Sequence, residues 1–303
     1  MFKRALFVFL AGLLTVALFG GLASAGQNFK VFLITMDQID QHWNNVDAGA
    51  KKAADEAGNI TYVWSAPDMK DDAKQIECIN NAAAQGADLI LLAANGPTAV
   101  TSALKEAEAG GVKFIYVDSP ADFPAISTFS TNNKAAGTTA GEEMLKALKA
   151  KGVTSGKIGI VSPNASTHSN VLREEGFRET LAGKGYELLA TQYSDGDAAR
   201  SKDLAANFLI QGCIGLYGTN EGCTTGVGNA LYEDGNKITG VGFDNSDSIR
   251  NLIRGGSLVC AMVQNPFQMG YMGMKAASEA LGSGYKGEKV VDTGVMVMTK
   301  DKL

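Results

Sequence analysis

Soft metal ligands are scarce in this chain of 303 residues, which has two histidines and four cysteines. The cysteines stand at 78, 213, 223 and 260 and form no Cys-x-x-Cys pair. Zinc and iron–sulfur sites need clustered thiolates or imidazoles, so no metal site is expected. Cys213 and Cys223 are near enough in sequence to pair across a short loop in an oxidising compartment. Cys213 and Cys260 also lie beside apolar strands, where a buried free thiol is equally at home, so the pairing stays open. Prolines are few (6) and hydrophobic residues reach 45%, as in a packed globule and unlike a Pro-rich linker. Positive charge is in deficit, with 27 Lys and Arg against 32 Asp and Glu. A surface of that balance offers no electrostatic footprint for nucleic acid or anionic lipid. Nucleotide and hydrolase motifs are missing too. No P-loop or Gly-x-Gly-x-x-Gly follows the first strand, and "GCTTG" carries Thr224 where a Gly-x-Ser-x-Gly elbow has serine. Asp40, His42 and His168 are types that do acid–base work, and paired carboxylates on a cleft would suit glycoside hydrolysis. Without a supporting motif, neither an enzyme nor a cofactor is expected.

The chain has one long apolar run, at its start: "MFKRALFVFLAGLLTVALFGGLASAGQ". Lys3 and Arg4 precede the run, and Ala23-Ser24-Ala25 ends it as a small-x-small cleavage site. This is the layout of a secretory signal peptide (1–25) cut after Ala25. No cysteine stands at the cut, so a lipid anchor is not expected. Cleavage removes two positive charges from a chain at net −5, leaving the exported part at −7.

Beyond residue 26, apolar β-rich runs alternate with helical spacing. The strands read "KVFLIT", "ITYVWS", "DLILLAA", "KFIYVD", "KIGIVS", "ELLATQ", "CIGLYG", "ITGVGF" and "LVCAMV". Between them lie segments such as "WNNVDAGAKKAADEAG", "DDAKQIECINNAAAQG", "PTAVTSALKEAEAGG" and "NVLREEGFRETLAGKG", several ending in the glycine that closes helices. Continuously apolar strands suit a parallel sheet covered on both faces. The fold class is α/β, doubly wound. The halves echo each other: "AQGADLILLAANGPTAV" then "KFIYVDSP", and later "IQGCIGLYGTNEGCTTG" then "ITGVGFDNSD". Asn95 and Asp118 thereby correspond to Asn220 and Asp244. Ligands of open parallel sheets bind beyond the carboxyl ends of the strands, so two such lobes facing each other would enclose a ligand.

In order and spacing, "DQHWNNVDAGAKKAADEAG", "LLAANGPTAV", "IYVDSP", "REEGFRE", "GTNEG", "GVGFDNSD" and "AMVQNP" resemble the ribose/galactose type of periplasmic binding protein, the receptor component of ABC sugar importers. The likeness covers essentially the whole chain after the signal. It implies two similar parallel-sheet lobes joined by three crossings, near Thr131–Asn133, Val263–Gln264 and Asp292–Thr293. The N-terminal lobe would be 26–131 plus 264–292, and the C-terminal lobe 132–263 plus 293–303. It further implies a monomer in the periplasm that closes by hinge motion on a small sugar or polyol, then docks on a membrane permease.

Sugar hydroxyls call for carboxylates and amides in the ring plane and an aromatic on the ring face. The resemblance puts Trp43 in the stacking role and Asp40 and His42 on hydroxyls. Its strand-end ligand positions fall on or beside Asn95, Asp118, Asn220, Asp244 and Gln264. Asp118 and Asp244 could instead be helix N-caps, and Trp43 an ordinary core residue. The sequence departs from the ribose pattern at three places. Ser119 stands for an arginine, Val171 for a second one with His168 and Asn170 close by, and Gly196 for an aromatic; Arg173 reads as a structural arginine. Losing multi-donor guanidinium forks leaves other pentoses, hexoses, polyols, furanose-like signals or a nucleobase on Trp43 as open as ribose. A receptor feeding a kinase or chemoreceptor would use the same surface. A sugar-repressor regulator would need a helix-turn-helix head where this chain has its signal segment.

Overall fold

The computed structural model describes residues 27–303, so the expected signal segment lies outside the described residues. None of the described helices is long and apolar enough to cross a membrane.

The first sheet contains β1 (Phe29–Ile34), β2 (Ile60–Ser65), β3 (Leu89–Leu92), β4 (Lys113–Val117), β5 (Thr128–Ser130) and β12 (Val290–Asp292). Its order is β12-β5-β4-β3-β1-β2, with every pairing parallel. Alternate residues of β1 go to opposite faces. Val31 and Leu33 pack under α1 (Gln41–Ala57) and α9 (Pro266–Leu281). Phe32 and Ile34 pack under α2 (Asp72–Ala84) and α3 (Thr101–Ala109). Both faces being apolar is why the strand shows no polar alternation.

The second sheet repeats the plan with β6 (Gly156–Ser162), β7 (Tyr186–Leu188), β9 (Cys213–Gly218), β10 (Thr239–Phe243), β11 (Cys260–Gln264) and β13 (Val295–Thr299). The order is β13-β11-β10-β9-β6-β7, and β13 is antiparallel to β11. On one face lie α4 (Asn133–Ala150) and α5 (His168–Leu181), against Ile158, Ile160 and Phe243. On the other lie α6 (Ala198–Ile210), α7 (Glu221–Glu233) and α8 (Asp247–Arg254), against Val161 and Leu216. The expected strand "ELLATQ" is split into β7 and β8 (Gln192–Tyr193), which pair with opposite ends of β6. The segment is an edge with one neighbour and its residues are half-buried or exposed, so nothing holds the ladder continuous. All four cysteines are free thiols.

The chain passes between the sheets three times: after β5, after β11 and after β12. These crossings are tied together. Thr131 donates to Gln264 Oε1 at 3.0 Å, the Asn132 N–H to Asp292 Oδ1 at 3.1 Å, and the Thr293 N–H to the Ser130 carbonyl at 2.8 Å.

One packing device recurs in both lobes. Helices α1 and α9 cross in backbone contact, because a Cβ on Gly49 would strike the Phe267 carbonyl and one on Gly270 the Val46 carbonyl. Helices α4 and α5 cross likewise at Gly137 and Gly176. Gly270→Ala gains roughly 0.5–1 kcal/mol of helix propensity yet forces α1 off α9. We expect a net loss of about 1–3 kcal/mol, read as a lower midpoint in thermal denaturation; an unchanged or raised midpoint would contradict this crossing.

Candidate functional site

The carboxyl ends of the two sheets face each other, and the side chains there close a small polar cavity. Asp118 follows β4 and Asp244 follows β10, and both have left-handed backbones, with φ of 62° and 75°. That conformation disfavours most L-residues and is commonest for Asn and Asp. Each is pinned by its own N–H, Asp118 to the Phe129 carbonyl at 2.9 Å and Asp244 to the Met262 carbonyl at 2.8 Å. Neither caps a helix: the N-cap of α8 is Ser246. The strained turn instead aims each carboxylate into the cleft.

Between them stands His42. Its Nε2 lies 3.0 Å from Asp118 Oδ2 and its Nδ1 3.6 Å from Asp244 Oδ1. The Nε2 is at ion-pair distance without hydrogen-bond alignment. Burial alone would lower the imidazole pKa, but Asp118 and then Asp244 outweigh it and hold it above its usual value. Reciprocally, Asp118 sits below its usual range in spite of burial, because of His42. Gln264, at the second crossing, donates to Asp244 Oδ1 at 2.7 Å, so the hinge and the cleft share one network.

The first loop builds the rest of the N-terminal wall. Asp37 accepts from the N–H groups of Ile39 and Asp40, at 2.7 and 3.0 Å, and from Trp43 Nε1 at 3.2 Å. Lys70 Nζ bridges Asp37 and Asp40 Oδ2, the latter at 2.8 Å. Burial raises Asp40 above the normal carboxyl range despite Lys70, whereas in Asp37 the Lys70 charge and the hydrogen bonds overcome burial. Trp43 lines the cavity and also belongs to the lobe core, with its ring edge-on to His42 at 4.7 Å and 87°. Gly196 explains how Lys70 reaches in: a side chain there would meet the Lys70 stem at 3.0 Å. A lysine from one lobe thus fills the place where the resemblance puts an aromatic of the other.

Glu221, from the C-terminal lobe, caps α1 of the N-terminal lobe, accepting the N–H of Gln41 at 2.9 Å and of His42 at 3.0 Å. A carboxylate on a helix N-terminus satisfies donors that the helix leaves free. Burial, followed by the Asp40 and Asp244 charges, pushes its pKa up to about 7 against the pull of those two bonds. The space enclosed among Asp40, His42, Trp43, Lys70, Asp118 and Asp244 is about 20 Å³, roughly room for one water. A groove of about 800 Å³ opens beside it between the lobes, bounded by Asp40, Lys70 and Glu221.

Of the residues singled out from sequence, Asp40, His42, Trp43, Asp118, Asn170, Asn220, Asp244 and Gln264 converge on the cavity. Asn170 accepts from Thr219 Oγ1 at 3.0 Å, and Asn220 caps α7 through the Cys223 N–H at 3.0 Å. Three do not line it. Asn95 is turned to the lobe seam, where its side-chain amide donates to Asp72 at 2.5 Å and its main-chain carbonyl accepts from Thr167 Oγ1 at 2.6 Å. Ser119 is buried on the same seam, its Oγ accepting the Ser169 N–H at 3.4 Å. His168 opens α5 on its exposed side, because Ser169 and Asn170 take the inward turn. Arg173, expected to be structural, is so by its bonds and also lines the cavity. Nε donates to Asn133 at 2.8 Å and Nη1 to the Thr219 carbonyl at 2.9 Å, while the guanidinium lies 4.2 Å over the Phe243 ring. Its Nη2 has no partner, and the residue lines the cavity. Lys70 and Glu221 escaped the sequence reading altogether.

Opening the cleft would return Glu221 and His42 to water, where they titrate near 4.5 and 6.5. Both hold a proton more tightly in the closed form, and Asp40 shifts the same way. Their contribution to closure is therefore complete on the acid side of the water values. It fades as pH rises through about 7 for Glu221 and through the elevated pKa of His42. The radius of gyration without added ligand, measured by X-ray scattering, should grow between about pH 5 and pH 8; a radius that is flat or falls over that range would contradict the assignment.

A family model described as a periplasmic binding protein domain matches residues 31–286. The ribose import binding protein of Haemophilus influenzae is 26% identical over 88% of this chain and 89% of its own. The D-apiose import binding protein of Actinobacillus succinogenes is 25% identical over 92% and 90%. Among solved structures, an ABC transporter solute-binding protein from Agrobacterium vitis with bound D-fucose superposes with a TM-score of 0.84 at 28% identity, covering 90% of this chain and 96% of that one. One from Agrobacterium radiobacter in complex with D-arabinose gives 0.84 at 28%, over 90% and 95%. With the family model spanning most of its length and the same two-lobed fold beneath it, this chain belongs to the periplasmic binding protein family, whose members are solute-binding receptors.

Proposed function

We propose that this protein is an exported receptor that closes around a small carbohydrate-like ligand and delivers it, unchanged, to the permease of an ABC importer. The observation that carries the reading is the meeting of Asp118 and Asp244, equivalent strand ends of opposite lobes, at one buried point. Relatives that match nearly end to end are import binding proteins for ribose and apiose, and similar structures hold D-fucose and D-arabinose. The chemistry agrees. Carboxylates at Asp40, Asp118 and Asp244 accept from hydroxyls, while Asn220, Gln264 and the free Nη2 of Arg173 donate to them. The ligand enters by the interlobe groove, and its admission requires the lobes to part or His42 to move, since about 20 Å³ cannot hold a sugar ring. A ligand that bridges the lobes then stabilises closure by contacts that the open form lacks.

A thermal-shift screen of pentoses, hexoses and polyols identifies the ligand, because one present at about 1,000 times its dissociation constant adds about 4 kcal/mol. Asp244→Ala should then weaken its binding by about 1–3 kcal/mol or more, by leaving hydroxyls unpaired in a dry site. Undiminished affinity in that variant, measured by calorimetry, would remove the cleft from its assigned role.

A further inference from the structure

The centre of the cleft is held by an imidazole of the protein itself. Asp118 and Asp244 are 3% and 5% exposed, come from different lobes, and flank the two nitrogens of one imidazole. We propose that the ligand of this cleft is a hydroxylated molecule carrying one protonated amine, an amino sugar or amino polyol, whose nitrogen takes the place between Asp118 and Asp244 that the His42 ring now fills. This rests on the receptor reading above and narrows it to a ligand class.

Three features of the site lead there. Acidic groups at the cleft outnumber fixed cations: Asp37, Asp40, Asp118, Asp244 and Glu221 face Lys70 and Arg173. Lys70 is already committed to Asp37 and Asp40, and two arms of Arg173 are held by Asn133 and Thr219. A neutral ligand that displaced His42 would leave Asp118 and Asp244 facing each other without the ring that now separates them, a costly arrangement in a site this dry.

The imidazole is also an imperfect occupant. Its Nε2 is buried without an aligned acceptor although Asp118 is 3.0 Å away, and its Nδ1 stands 3.6 Å from Asp244. A planar ring has two fixed donor directions, whereas an ammonium has three donors that rotate freely and can reach both carboxylates. The other unpartnered group lining the cavity among the described residues, Arg173 Nη2, is a donor and needs an oxygen acceptor, which a hydroxyl on the same ligand supplies. A metal ion is a poorer candidate for the charge: among the described residues no three carboxylate, imidazole or thiol ligands are grouped for one.

The test is calorimetry on the unmodified exported protein near neutral pH with matched pairs: glucosamine and glucose, galactosamine and galactose, 1-amino-1-deoxysorbitol and sorbitol. In at least one pair the amine should bind about tenfold tighter or more than its hydroxyl counterpart. Asp118→Asn and Asp244→Asn, which keep the shape and remove the charge, should each reduce that preference to about threefold or less. If neutral members bind as tightly as their amines or more so, the amine assignment is overturned while the receptor reading stands. If no member of any pair binds, and no neutral sugar does either, both are overturned.

Discussion

Two carboxylates brought together from separate bodies repel each other unless a donor stands between them, and the cleft is organised around that requirement. Asp118 and Asp244 meet where little water remains, and His42 separates them. The network reaches outward from there: Asp244 to Gln264, Gln264 to Thr131, and so to the strands that cross between lobes. Glu221 extends it in another direction by clasping the start of α1, the helix that carries His42. The centre is thereby connected to the crossings through direct hydrogen bonds.

The duplicated plan explains why the carboxylates are so well matched. Each lobe ends the equivalent strand in an aspartate with a left-handed backbone, pinned by its N–H to the neighbouring strand. Each lobe also seats a helix pair through glycines in backbone contact. Close helix crossings and pinned turns fix both carboxylates on their scaffolds. Backbone strain held at a functional site in this way is paid for by the packing around it.

Much of this was legible in the sequence, and for physical reasons. Strands buried on both faces leave unbroken apolar runs, as in "DLILLAA" and "ITGVGF", so the two-lobed α/β plan and the aspartates ending β4 and β10 could be read directly. Three-residue strands such as Thr128–Ser130, largely buried, and Val290–Asp292, largely exposed, are too short to leave such a pattern. At the site, Asp118 and Asp244 are placed by their own strand ends and could be singled out, Asn95 and Ser119 stand at strand ends too but turn to the seam, and residues placed by the opposite lobe leave no local mark. Lys70 lies in a surface-like loop, and its burial exists only because Gly196 of the other lobe makes room. Glu221 looks like an ordinary first-turn helix acid until α1 is set against it. The bare Gly at 196 was the available clue to the first; nothing local signals the second. Arg173 shows a subtler limit, since a side chain can be structural through two nitrogens and face the cavity with the third.

The central claim is that one small ligand is held jointly by Asp118 and Asp244. A double-mutant cycle with Asp118→Asn, Asp244→Asn and the double variant, read as ligand dissociation constants by calorimetry, tests it most directly. Joint grip predicts a coupling of about 0.5–3 kcal/mol between the two substitutions. Strictly additive losses, or a loss confined to one of the two, would contradict it.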